Sequence, residues 1–105
     1  MDEIEELAQI FKALSDPTRL RLFKLLSECS PGECHEGMWC VNALAHRVGV
    51  TQSAVSQHLR VLRQAGLVQG ERRGHFVHYS LNRDRLEQYK TRLRDALGEG
   101  FVVIE

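Results

Sequence analysis

The sequence predicts a mainly α-helical domain with one small β-hairpin, an α+β arrangement with five helices. Three observations carry this. Apolar residues recur at three- and four-residue steps over most of the chain, Gly49 separates two such periodic stretches, and beyond Gly66 the period falls to two. With 105 residues and 43% hydrophobic content there is apolar material for one core and too little length for two, so residues 1–105 are read as a single domain.

The first helix is placed at 3–14, where Ile4, Leu7, Phe11 and Leu14 form a stripe with the acids on the far side. It stops at Ser15-Asp16-Pro17. Asp16 can cap a second helix, and Pro17 fits its first position, whose amide would be unpaired in any case. That helix, 17–27, carries Leu20, Leu22, Phe23, Leu25 and Leu26 on more than one face and is expected to be buried on two sides. From Glu28 to Gly37, Pro31, Gly32 and Gly37 among polar residues mark a loop. A third helix is placed at 39–48, with Met38 and Trp39 read as cover for the core. Gly49 then turns the chain, and a fourth helix runs over 51–65 from Thr51, a good cap, with Val55, Leu59 and Leu62 inward. Strands are placed at 67–71 and 75–81, and the polar stretch Glu71-Arg72-Arg73-Gly74-His75 gives their hairpin a basic tip. A last helix at 82–97 bears Leu86, Tyr89, Leu93 and Leu97, followed by Gly98, Gly100 and an apolar tail, Phe101 to Ile104.

The net charge is zero, yet its distribution is uneven. Residues 1–36 hold eight acids against four bases, whereas Gly37 to Arg83 holds one acid, Glu71, against six arginines. Such a basic middle is what a phosphate-facing surface requires. Two helices joined by a glycine turn, the second opening on small polar residues, meet the need of a helix that projects side chains into a major groove. With Val55, Leu59 and Leu62 inward, Ser53, Ser56, Gln57, Arg60 and Gln64 fall on the opposite face, and Gln52 lies at the exposed start. Gln pairs with adenine, Arg with guanine, and Ser with base or phosphate. Arg72, Arg73 and His75 would reach the backbone or minor groove beside that helix. The expectation is a winged helix-turn-helix on double-stranded operator DNA. A module this small has limited groove contact, so pairing two on a palindrome is the economical route to specificity.

The segments Ala13-Leu14-Ser15-Asp16-Pro17-Thr18-Arg19-Leu20, Ala45 to Gly49, Ser53 to Leu62, Ala65-Gly66-Leu67-Val68 and Gly74 to Leu81 together resemble the ArsR/SmtB family of bacterial repressors. The resemblance implies a homodimer, built through the first and last helices, that represses its own operon and leaves DNA when an inducer binds. It also implies that Ser53, Ser56, Gln57 and His58 stand where such proteins touch DNA.

Cys29, Cys34 and Cys40 cluster in the loop and at the start of the third helix. The acidic N-terminus is unlike a signal peptide, and no stretch is long and apolar enough for a membrane span, so a cytoplasmic, reducing setting without membrane contact is expected. There, three thiolates can converge on a soft ion. A trigonal set suits As(III), and His35 as a candidate fourth ligand makes a tetrahedral site for Zn or Cd. Arsenic-responsive members of the family carry Cys-Val-Cys here; Cys40-Val41 matches its first half, and Asn42 replaces the second cysteine. The family's metal site on the last helix is not carried over, since no histidine lies between Asp84 and Leu97. Three other readings stand beside the metal sensor: small buried thiols, a reversible Cys34–Cys40 disulfide that makes a redox-sensing repressor, and a structural zinc.

His46, His58, His75 and His78 make no ligand spacing with the cysteines and read as phosphate contacts or packing. No nucleophile triad, phosphate-cradling glycine loop or apolar carboxylate pair appears, so no enzymatic activity is expected and no cofactor is required for DNA binding. A winged-helix module for protein interaction alone would need an acidic or apolar reading face. The Ser/Gln/Arg face argues for DNA instead.

Overall fold

A computed structural model describes residues 2–28 and 38–98. The elements run α1 (Glu3–Leu14), α2 (Pro17–Ser27), β1 (Trp39–Cys40), α3 (Val41–Val48), α4 (Gln52–Gln64), β2 (Val68–Arg73), β3 (Phe76–Leu81) and α5 (Arg83–Leu97). The strands form one antiparallel sheet in the order β1-β3-β2. The loop expected over Glu28 to Gly37 and the tail at Phe101 to Ile104 fall, apart from Glu28, outside the described residues.

Helix limits follow local chemistry. Asp2, Asp16, Thr51 and Asn82 each accept an amide hydrogen bond from the third residue on, opening α1, α2, α4 and α5. Gly49 closes α3 with φ +77°, and its amide donates to Ala45 O at 2.9 Å. That left-handed position is open to glycine without strain.

The core is centred on Leu22, Trp39, Leu44, Val55, Leu59 and Leu62, all nearly or fully enclosed. Both buried positions of α2, Leu22 and Leu26, face it, and Phe23 and Leu25 pack at its edge; Leu20 stands half exposed. On α1 the inward line is Leu7, Ile10 and Ala13. It is displaced from the expected stripe, and Ile4 and Phe11 remain 64% and 53% exposed.

The start of the third helix and the hairpin also differ from expectation. The third helix begins at Val41, not at 39, because Trp39 and Cys40 are extended and pair with β3, Trp39 opposite Tyr79 and Cys40 opposite His78. Trp39 is 1% exposed and its indole Nε1 donates to Glu28 O at 3.2 Å, which holds the strand against the core. The hairpin is also tighter than expected. Arg73 pairs with Phe76, so only Gly74 and His75 form the turn, with Gly74 at φ +64° in the place that a two-residue hairpin loop reserves for glycine. Arg72 and Arg73 therefore belong to β2, and of the basic residues assigned to the tip His75 alone occupies it.

Candidate nucleic-acid interface

The interface begins with the inward stripe of α4. Val55, Leu59 and Leu62 are fully buried, which fixes the helix's rotation about its axis. Gln52, Ser53, Ser56, Gln57, Arg60 and Gln64 are consequently exposed. No acidic residue lies anywhere on α4. Thr51 Oγ1 accepts the Ala54 amide at 3.1 Å, so the end of the helix that would enter a groove starts at a defined place.

Gln52 is partly committed within the protein: its Nε2 donates to Asn42 Oδ1 at 2.8 Å, tying the first turn of α4 to the first turn of α3. This bond was not legible in the sequence, where Asn42 stood out only for not being cysteine. His58 lies off the exposed face. It is half-buried on the flank toward α2, with Nδ1 3.9 Å from Asp16 Oδ2. Asp16 also accepts the Arg19 amide at 3.0 Å, and that hydrogen bond, aided by the charges of His58 and Arg19, holds its carboxyl below the ordinary range. Arg19 Nε in turn donates to Ala13 O at 2.6 Å, so the Asp16 to Arg19 segment locks the α1–α2 corner.

On the wing, Arg72 and His75 are exposed. Arg73 is half-buried, with Nε 3.7 Å from Glu71 Oε1. Phe76, beside the turn, is 67% exposed, a feature the alternating pattern did not distinguish from a packed strand residue. Between wing and α4 lies an open groove of about 550 Å³, whose lining includes Cys40, Asn42, Gln52, Ser56, His75 and His78.

Of the candidate metal ligands, Cys40 is described, and Cys29, Cys34 and His35 lie outside the described residues. Cys40 is half-buried at the start of α3, where its Sγ accepts the Ala43 amide at 3.4 Å. Among the described residues no group of three or more His, Cys, Asp or Glu is placed to hold a metal ion. None of their helices is long and apolar enough to cross a membrane.

A helix-turn-helix with an antiparallel wing beside an acid-free polar face defines the winged helix-turn-helix class of DNA-binding domain. Residues 16–69 match the family model described as the bacterial regulatory protein, arsR family. The transcriptional repressor SmtB homolog of Synechocystis is 36% identical over 99 residues, spanning 94% of this chain and 69% of that protein. The arsenical resistance operon repressor of Escherichia coli is 39% identical over 74 residues, 70% of this chain and 57% of that protein. A homodimeric winged helix-turn-helix DNA-binding domain from Mycobacterium bovis superposes with a TM-score of 0.66 at 26% identity, covering 97% of this chain and 90% of that one. The chain belongs to the ArsR family of bacterial regulatory proteins.

Proposed function

We propose that the protein is a homodimeric transcriptional repressor that binds operator DNA through α4 and the wing, and that a thiophilic metal or metalloid bound at its clustered cysteines releases it. The observation that carries the DNA reading is the exposed Ser53, Ser56, Gln57 and Arg60 face of α4, free of acids and flanked by Arg72 and His75. In a major groove these side chains address base edges and phosphates, and the wing addresses the adjoining backbone.

Dimerisation is supported by what α1 and α5 leave uncovered. The two helices pack on each other, joined by the Glu6–Arg92 ion pair. Ile4, Phe11 and Leu97 nevertheless remain more than half exposed on them. A second copy covering those residues would bring two reading helices onto successive major-groove faces.

The sensor reading draws on position. Cys40 caps α3, the helix that supports α4, and Asn42 on the same turn bonds to Gln52 of α4. An ion that recruits Cys40, with Cys29, Cys34 and His35 as the proposed companions, acts on the segment that positions the reading helix. As(III), Cd and Zn are the proposed inducers, and oxidation of the same thiols is the competing trigger.

Electrophoretic or anisotropy titration on the DNA upstream of its own gene tests the DNA reading. Arg72 from each of two copies predicts that log K falls against log salt with a slope of about −2 or steeper. A flat salt response would contradict the assigned surface.

A further inference from the structure

Strand β1 sets Cys40 directly opposite His78 of β3. Register partners in an antiparallel pair share a face of the sheet, with Cβ atoms about 4.5–5.5 Å apart. A zinc-class ion takes a thiolate at about 2.3 Å and an imidazole nitrogen at about 2.0–2.1 Å, so one ion can span such a pair without moving either strand. Both residues line the groove beside α4. His78 Nδ1 is closed off from solvent and has no hydrogen-bond partner among the described residues. A ring nitrogen left in that condition is costly, and a ligand would relieve the cost. On the other side of β3, Glu71 is in register with His78, but its carboxylate lies toward Arg73. That leaves Cys40 and His78 as the pair.

We infer that Cys40 Sγ and His78 Nδ1 form a sulfur–nitrogen site for a divalent cation of the zinc and cadmium class, which makes the wing strand part of the sensor. The inference rests on the proposal that a thiophilic ion acts at Cys40, and it narrows that ion's chemistry. Imidazole is a good ligand for zinc-class cations, whereas the trigonal metalloid site needs thiolates alone. On binding, the thiol proton passes to solvent, the Nδ1 lone pair of His78 is donated to the ion, and other donors complete the coordination. Sulfur then shares its electron density between the ion and the Ala43 amide, which directly follows Asn42 of the Asn42–Gln52 bond. The connection to the reading helix is therefore short.

Cobalt(II) is the probe. Titrated into the full reduced chain, it should give a thiolate-to-cobalt charge-transfer band that Cys40→Ser abolishes. His78→Gln should weaken cobalt binding at least about tenfold, the loss that removal of an outer-shell partner already causes. His78→Cys should restore binding with a more intense charge-transfer band, and circular dichroism of both variants checks the fold. An unchanged cobalt affinity and spectrum in His78→Gln would overturn the nitrogen ligand while leaving the thiophilic-ion reading intact. Absence of the charge-transfer band in the unaltered protein, with operator binding indifferent to zinc, cadmium and arsenite alike, would remove the reading on which the inference rests.

Discussion

The two helices of the helix-turn-helix start with different chemistry. Thr51 caps α4 through a hydroxyl 3.1 Å from the Ala54 amide, and Cys40 caps α3 through a sulfur 3.4 Å from the Ala43 amide. Hydroxyl oxygen is one of the preferred caps and has no affinity for soft ions; sulfur is a weaker acceptor that such ions draw away. On the proposed function, α4 has a fixed beginning, and α3 has one that a thiophilic ligand would alter. The Asn42–Gln52 hydrogen bond of 2.8 Å joins the two first turns. On the proposed function, contact with DNA would centre on α4 and response to a ligand on the start of α3, with this hydrogen bond between them.

Substitutions can break or sharpen that contrast. The largest effect is expected on the DNA side: Gln57→Ala with Arg60→Ala should weaken operator binding at least about thirtyfold, given about 1–3 kcal/mol for each good base contact. Sedimentation should show the dimer intact, since both side chains are exposed and belong to neither α1 nor α5. Next in size, Thr51→Ala should cost about 1 kcal/mol in denaturant unfolding. Cys40→Ser should leave stability within about 0.5 kcal/mol, because serine is itself a favoured cap, while removing the response to soft ions. Equal losses from the two substitutions would erase the distinction drawn between the caps.

A pH-dependent effect is expected at Asp16. Its carboxyl is held below the ordinary range, so the charged form stabilises the fold. That contribution is fully present above the unfolded-state value near 3.8 and is lost as pH falls through the lowered folded value. The gap in melting temperature between the unaltered protein and Asp16→Ala should therefore hold at neutral pH and close in acid. A gap independent of pH would assign the corner to packing alone.

Much of this architecture was legible because it rests on local signals. Asp16-Pro17, Gly49 and Thr51 mark helix ends by capping and steric rules that need no tertiary context. The inward line Val55, Leu59 and Leu62 fixed the exposed face of α4 from periodicity alone. Strand β1 was not legible, because two residues have no period and the pairing of Trp39 with Tyr79 is long-range. For the same reason the juxtaposition of Cys40 and His78 escapes any count of ligand spacing. The hairpin was misjudged because Arg72 and Arg73 read as loop residues; their strand pairing to Val77 and Phe76 shows in the register and not in their polarity. On α1, Ile10 and Ala13 rather than Phe11 complete the inward line, a rotation that only the packing against the rest of the core determines.

The most direct test of the account follows operator release by fluorescence anisotropy. The reduced protein is assembled on its upstream DNA and titrated with zinc, cadmium and arsenite, in parallel with Cys40→Ser. Release of the unaltered protein by a soft ion, with Cys40→Ser remaining bound at the same ion concentration, is the predicted result. Identical behaviour of the two proteins toward every ion would contradict the claim that the cap of α3 is the point at which a ligand turns DNA binding off.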